Sequence, residues 1–162
     1  MDPKQAALVA VDLLEKCGLR DKWASKPDEL SGGERQRAAL ARAFAFPSSV
    51  MLLDEPFQSQ DLAQKVALMD LFQRLLEKSP RTVLLVTHDI REALSCCSRI
   101  IVLKGSPLCV ELDEPLAATG GACADLYLSP DGNRRKLEEL ISGILLGGPN
   151  SQRARTDSAP LS

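Results

Sequence analysis

Three short stretches of this chain carry side chains suited to phosphate chemistry. The first is Leu30-Ser31-Gly32-Gly33-Glu34-Arg35-Gln36-Arg37. Ser31, followed three residues later by Glu34, is the pattern of a helix capping box. That pattern accounts for the serine and the glutamate. It does not account for two glycines in a first helical turn, where each costs about 1 kcal/mol against alanine. Glycines there let a ligand come close to the backbone, and the N–H groups and dipole of a helix N-terminus favour an anion. From these residues alone, capping and anion binding stand level.

The second stretch is Val50-Met51-Leu52-Leu53-Asp54-Glu55-Pro56. An apolar strand that ends in two carboxylates places both at the carboxyl edge of a parallel sheet, where open α/β folds bind ligands. One carboxylate can hold Mg²⁺ through water, since that ion keeps much of its hydration shell. The other can orient or deprotonate an attacking water. A solvated exit from strand to turn explains the same residues equally well. The third stretch is Thr87-His88-Asp89, directly after the next apolar run, and His88 is the only histidine of the chain. A lone histidine is more often a structural hydrogen-bonding group, but the expected position at the same sheet edge as Asp54 and Glu55 favours a role in chemistry.

These residues need elements to position them. Leu8, Val11 and Leu14 recur at helical spacing between Gln5 and Cys17, and Gly18 is a stop signal. Trp23 falls in the polar connection that follows and reads as a local packing anchor. A second helix runs from Ser31 to Pro47 with Ala38, Leu40, Ala41 and Phe44. The apolar runs Val50–Leu53 and Thr82–Val86 flank an amphipathic helix carrying Leu62, Val66, Met69, Phe72 and Leu76. This is a β-α-β unit whose strands, apolar on both faces, suit a parallel sheet covered by helices. A short helix over Arg91–Cys96 follows, then strands at Ile100–Leu103 and Leu108–Val110 around Gly105-Ser106-Pro107. Ala117–Ala124 reads as turn-rich, Arg134–Leu146 as a helix, and the polar residues 147–162 as a disordered tail.

Composition narrows the function classes. The 162 residues suffice for one compact domain, with 44% apolar and 26% charged residues and a net charge of -2. Nothing in that balance suggests nucleic acid or an anionic membrane as a partner. No apolar run approaches the ~18 residues needed to span a bilayer, so a membrane role would come through a partner. The five cysteines, Cys17, Cys96, Cys97, Cys109 and Cys123, contain no C-x-x-C pair and read as reduced, mostly buried thiols.

Taken together, in this order and spacing, the three stretches strongly resemble the ATP-binding-cassette (ABC) ATPase family over about Gln5 to Leu112. Leu30–Gln36 is similar to that family's signature motif, Leu52–Glu55 to its Walker B strand and Thr87-His88 to its switch histidine. Thr87-His88-Asp89-Ile90, Glu92-Ala93 and Ser98–Leu103 look like importers of the nitrate, sulfonate and taurine class. The resemblance implies a P-loop NTPase (RecA-like) α/β fold, present in part. Residues 1–46 would be the rear of the helical subdomain, 47–116 the rear of the nucleotide-binding core, 117–146 a C-terminal extension and 147–162 a tail.

For the site, the resemblance implies ATP and Mg²⁺. Asp54 would hold the metal's hydration shell, Glu55 would be the general base and His88 would contact the γ-phosphate. Ser31, Gly32 and Gly33, with Gln36 in the same motif, would meet ATP held by a second ATPase subunit, and Asp61 matches the D-loop aspartate. A transmembrane permease would be the other partner, placing the chain at the inner face of the cell membrane. Two departures stand out. The D-loop position reads Gln58-Ser59-Gln60-Asp61, keeping only the aspartate, and no G-x-x-x-x-G-K-[ST] phosphate loop occurs in the chain. The resemblance puts that loop, with the glutamine loop and the base-stacking aromatic, upstream of Met1. The expected function is therefore an importer ATPase subunit without its phosphate-loop half. The alternative is a non-catalytic fragment that offers its signature helix to a partner's ATP.

Overall fold

The computed structural model describes residues 2–58, 61–117 and 122–146. The chain divides into two compact units, Met1–Val86 and Thr87–Ser162.

The first unit begins with α1 (Pro3–Lys16). Gly18 ends it in the left-handed region at φ 65, and the Gly18 and Leu19 N–H groups donate back to Glu15 and Leu14 carbonyls. That is a glycine-dependent helix stop, as its position suggests. Two short 3₁₀ turns lead to α2 (Gly32–Ala45), which packs on α1 and on α3 (Leu62–Lys78). Strands β1 (Val50–Asp54) and β2 (Thr82–Val86) pair in parallel, with Leu52 opposite Leu84 and Asp54 opposite Val86. The β-α-β unit therefore stands as its hydrophobic periods require.

The core of this unit lies between α2, α3 and one face of β1, with Phe44, Met51, Phe57, Met69 and Phe72 all buried. The Phe72 ring meets Phe57 edge-on at 5.5 Å and Phe44 at 6.3 Å, the arrangement aromatic quadrupoles favour. Arg81 closes the far side, with its guanidinium 4.8 Å from the Phe44 centroid and one nitrogen on the Phe46 carbonyl at 3.2 Å. One expectation is corrected here: Trp23 is 75% exposed and anchors no packing. Val50, Leu52, Leu84 and Val86 are exposed, so the face of the sheet they share is uncovered.

The second unit holds α4 (Ile90–Cys96), β3 (Arg99–Lys104), β4 (Cys109–Pro115), α5 (Cys123–Leu128) and α6 (Gly132–Leu146). β3 and β4 form an antiparallel hairpin with an irregularity at Val102/Leu103. α5 and α6 both pack on α4. Leu94, Ile100, Val102, Ile141 and Ile144 form its core. Arg134 is buried beside them, its guanidinium donating to the Leu94 carbonyl at 2.8 Å and to Asp131 at 2.6 Å. α5 lies partly in the stretch expected to be turn-rich, because four apolar or small residues in Cys123–Leu128 suffice for a short helix once α4 receives it. All five cysteines are thiols, none joined in a disulfide. Cys17 alone is buried and Cys109 is exposed, which corrects the expectation of mostly buried thiols. The expected tail, residues 147–162, lies outside the described residues.

Candidate functional site

The start of α2 answers part of the question its sequence poses. Ser31 Oγ accepts the Glu34 N–H at 3.2 Å, and a Glu34 carboxylate oxygen accepts the Ser31 N–H at 2.8 Å. The capping box is real, and the Ser31 backbone bond is the main cause that holds the Glu34 carboxyl below its ordinary range. The glycines remain to be explained. A Cβ on Gly32 would meet nothing within 4 Å, so internal packing does not call for glycine there. A Cβ on Gly33 would come 3.0 Å from Gln64 Oε1, the end of a flexible side chain. Both glycine N–H groups sit in a first turn that supplies them no helical carbonyl, on a helix end suited to an anion.

An open cleft of about 780 Å³ faces these groups, lined by Ser31, Gly32, Gly33, Gln36, Gln58 and Asp61 among others. Gln36 Nε2 donates to the Gln58 carbonyl, tying α2 to the turn beyond β1. Asp61 is the N-cap of α3, and its Oδ1 accepts the Ala63 N–H at 2.8 Å. Capping holds the aspartate at the cleft wall. Five expected binding residues, Ser31, Gly32, Gly33, Gln36 and Asp61, thus share one surface. Sequence reasoning missed Gln58 and Gln64 as members of this wall, because neither matches a motif and only the packing of α3 beside α2 brings Gln64 there.

Asp54 and Glu55 stand where the strand pattern puts them. Asp54 is the last residue of β1 and is exposed. The Glu55 N–H donates to the Val86 carbonyl at 2.9 Å, extending the ladder by one bond. The chain then turns sharply, with Glu55 at φ 47 and the Gln58 N–H on the Glu55 carbonyl at 3.2 Å. Phe57, fully buried, pins the far side of that turn. A left-handed conformation costs a non-glycine residue about 1–2 kcal/mol and persists where its surroundings impose it. Among the described residues no group of three or more His, Cys, Asp or Glu could hold a metal ion. The carboxylates at the end of β1 fit Mg²⁺ all the same, since that ion takes one or two hard oxygen donors and completes its shell with water and phosphate.

His88 is exposed and belongs to the second unit. It lines a polar pocket of about 430 Å³ with Asp89, Arg91, Tyr127 and Glu138. The residues on either side of it are held by hydrogen bonds. The Thr87 hydroxyl donates to the buried Glu92 carboxylate at 2.6 Å, and the Asp89 N–H donates to Thr87 Oγ1 at 3.0 Å. Tyr127 was not foreseen, since a single tyrosine between the stretch read as turn-rich and the last expected helix carries no spacing signal.

With this geometry in hand, comparison with known proteins is informative. Residues 4–58 match the family described as ABC transporter. The chain is 46% identical over 108 residues to an aliphatic sulfonates import ATP-binding protein of Rhodococcus jostii, covering 67% of this chain and 44% of that protein. It is 34% identical over 151 residues to one from Burkholderia thailandensis, covering 91% of this chain and 43% of that protein. A formylaminopyrimidine import ATP-binding protein of Halalkalibacterium halodurans is 42% identical over 107 residues, 66% of this chain and 43% of that protein. The chain spans less than half the length of each of these relatives.

Proposed function

We propose that this chain, a member of the ABC transporter family, supplies the signature helix and the hydrolytic carboxylates of an ATP-binding subunit that powers import, of the sulfonate, nitrate and taurine kind. The observation that carries this reading is the cleft at the start of α2. Ser31 caps α2, packing does not require glycine at position 32, and Gln36 and Asp61 share the surface. The matches to sulfonate and formylaminopyrimidine import proteins support the importer class.

Each residue has a role in this reading. The Ser31 hydroxyl accepts one bond within the helix cap and can still donate its proton, so with the Gly32 and Gly33 N–H groups it would clasp the γ-phosphate of ATP held by a second ATPase subunit. Gln36 holds that helix to the turn after β1, and Asp61 stands at the subunit boundary. Glu55 would take a proton from the attacking water. Asp54 would hold Mg²⁺ through its hydration shell, and the bound ion would neutralise phosphate charge. His88 would contact the γ-phosphate. Residues 1–46 would serve as helical subdomain, 47–116 as nucleotide-binding core and 117–146 as an extension. A permease would hold the assembly at the inner membrane face, in keeping with the lack of any membrane-length apolar helix among the described residues.

One observation favours the second reading for this polypeptide by itself. Its 162 residues contain no phosphate loop, and without that loop's backbone cradle and lysine the γ-phosphate has no primary site. The chain would then act on a nucleotide held elsewhere. Calorimetric titration with MgATP separates the two, using protein at about fifty times a ~1 μM dissociation constant. The chain alone is expected to show no saturation. Joined to the phosphate-loop half of a relative, it should bind, and Glu55→Gln should keep binding while turnover falls about 10²–10⁴-fold. Near-normal turnover by that variant would remove Glu55 from the role of base, and micromolar saturation of the chain alone would overturn the second reading.

A further inference from the structure

We propose that Tyr127, on the helix that sequence reasoning missed, is a positioning residue for His88. The inference rests on the reading of His88 as a phosphate contact, and it adds a reason for the C-terminal extension to be there.

His88 sits between two residues whose polar groups are committed. On its N-terminal side, Thr87 Oγ1 accepts the Asp89 N–H at 3.0 Å and donates its own O–H to the Glu92 carboxylate at 2.6 Å. Glu92 is 1% exposed, so that anchor is rooted in the interior of α4. On its C-terminal side, Asp89 caps α4. Its Oδ1 accepts the Arg91 N–H at 3.0 Å and the Glu92 N–H at 3.4 Å. These bonds are all local and would form in any helix that starts with Thr-x-Asp. The other Asp89 oxygen is different. It accepts the Tyr127 hydroxyl at 3.1 Å, across 38 residues of chain.

That bond fixes the rotation of the capping carboxylate. Without it, Asp89 can cap α4 in more than one orientation, and the backbone at His88 follows. A second long-range tie lies beside it, where Arg91 Nε meets Glu138 of α6 at 2.8 Å. Both ties reach the wall of the one pocket that His88 also lines. α5 and α6 thus hold the segment that carries the histidine, while α4 presents it. Tyr127 acts through Asp89, the residue its hydroxyl bonds.

The test exploits His88 as the only histidine. In the full 162-residue chain its imidazole carbon-bound protons give a unique pair of NMR signals. Tyr127→Phe removes the donor and keeps the ring. The expected result is a shifted, broadened or doubled His88 signal, with amide exchange at Arg91 and Glu92 about tenfold faster and protection in β3 unchanged. Tyr127→Trp, whose indole N–H can still donate, should keep the native His88 signal. An unchanged His88 signal and unchanged exchange in folded Tyr127→Phe would overturn the proposal. So would loss of β3 protection to the same degree, which would make Tyr127 a general packing residue. None of these readouts needs nucleotide. Failure of MgATP to perturb His88 in the chain joined to a phosphate-loop half would count against the ATPase reading instead, and would leave the positioning result standing.

Discussion

The left-handed backbone at Glu55 makes a quantitative claim about where function and stability part company. At φ 47 the Glu55 Cβ is crowded against its own backbone, a cost of about 1–2 kcal/mol for an L residue. Glycine removes that cost and keeps the N–H that bonds the Val86 carbonyl at 2.9 Å. Against this stands the extra freedom of glycine in the unfolded chain, about 0.5–1 kcal/mol. The midpoints of the two ranges leave about 0.75 kcal/mol in favour of Glu55→Gly, a rise in Tm of about 1.5–3 °C for a chain of this size. Glu55→Gln supplies the control. It removes the same charge beside Asp54 but retains the Cβ, so its Tm should match the wild type to within about 1 °C. Calorimetric melts of the three proteins, with urea titrations to check that the m-value is unchanged, decide the matter. If Glu55→Gly is no more stable than Glu55→Gln, the strain argument fails, and with it the idea that the carboxylate is held in place against a conformational cost.

Other outcomes follow from the packing and the charges. Phe72→Ala removes a buried ring with two aromatic neighbours and should cost about 3–5 kcal/mol, enough to abolish the cooperative melt of a marginal domain. In acid, Asp113 beside Arg99 and Asp131 bonded by the Arg134 backbone N–H and side chain have folded pKa values held below the ordinary one. Their contribution is complete above the unfolded pKa of about 3.9 and is lost as pH falls through the lower folded values. Urea midpoints should therefore hold from pH 7 to about pH 5 and fall below about pH 4; a midpoint that rises on acidification would contradict this. The uncovered face of β1 and β2, with Leu52 73% and Leu84 55% exposed, should make the chain self-associate in sedimentation velocity. Leu52→Ser with Leu84→Ser should shift it toward monomer.

What could be read from the sequence, and what could not, divides along chain separation. The capping box and the glycine stop at Gly18 depend on neighbours within a turn of helix, and local chemistry decides them; the β-α-β unit pairs Val50 with Thr82 across the chain, but each of its three elements announces itself by its own hydrophobic period. The cleft residues Ser31, Gly32, Gly33 and Gln36 lie within one turn and a half of α2, so a motif can carry them whole. Gln64 joins that wall only through packing of α3 beside α2, and Tyr127 meets Asp89 only through packing of α5 on α4. Neither leaves a periodic trace.

The same distinction explains the exposed apolar surfaces. Apolar character says that a side chain gains by leaving water, about 25 cal/mol per Å² of apolar surface, but it does not say what covers it. Trp23 and the outward residues of β1 and β2 have the composition of buried positions and remain exposed in this chain. Met51, on the opposite face of β1, is buried in a unit whose aromatic core is built by Phe44 of α2, Phe72 of α3 and Phe57 of the turn after β1. The buried core also reaches the turn that carries Glu55. Phe57, fully buried against Phe72, follows Glu55 by two residues in the same turn. If Glu55 serves as the proposed base, a substitution mild enough to keep the fold cooperative, such as Phe57→Leu, should disturb Glu55 before it disturbs the capped start of α2.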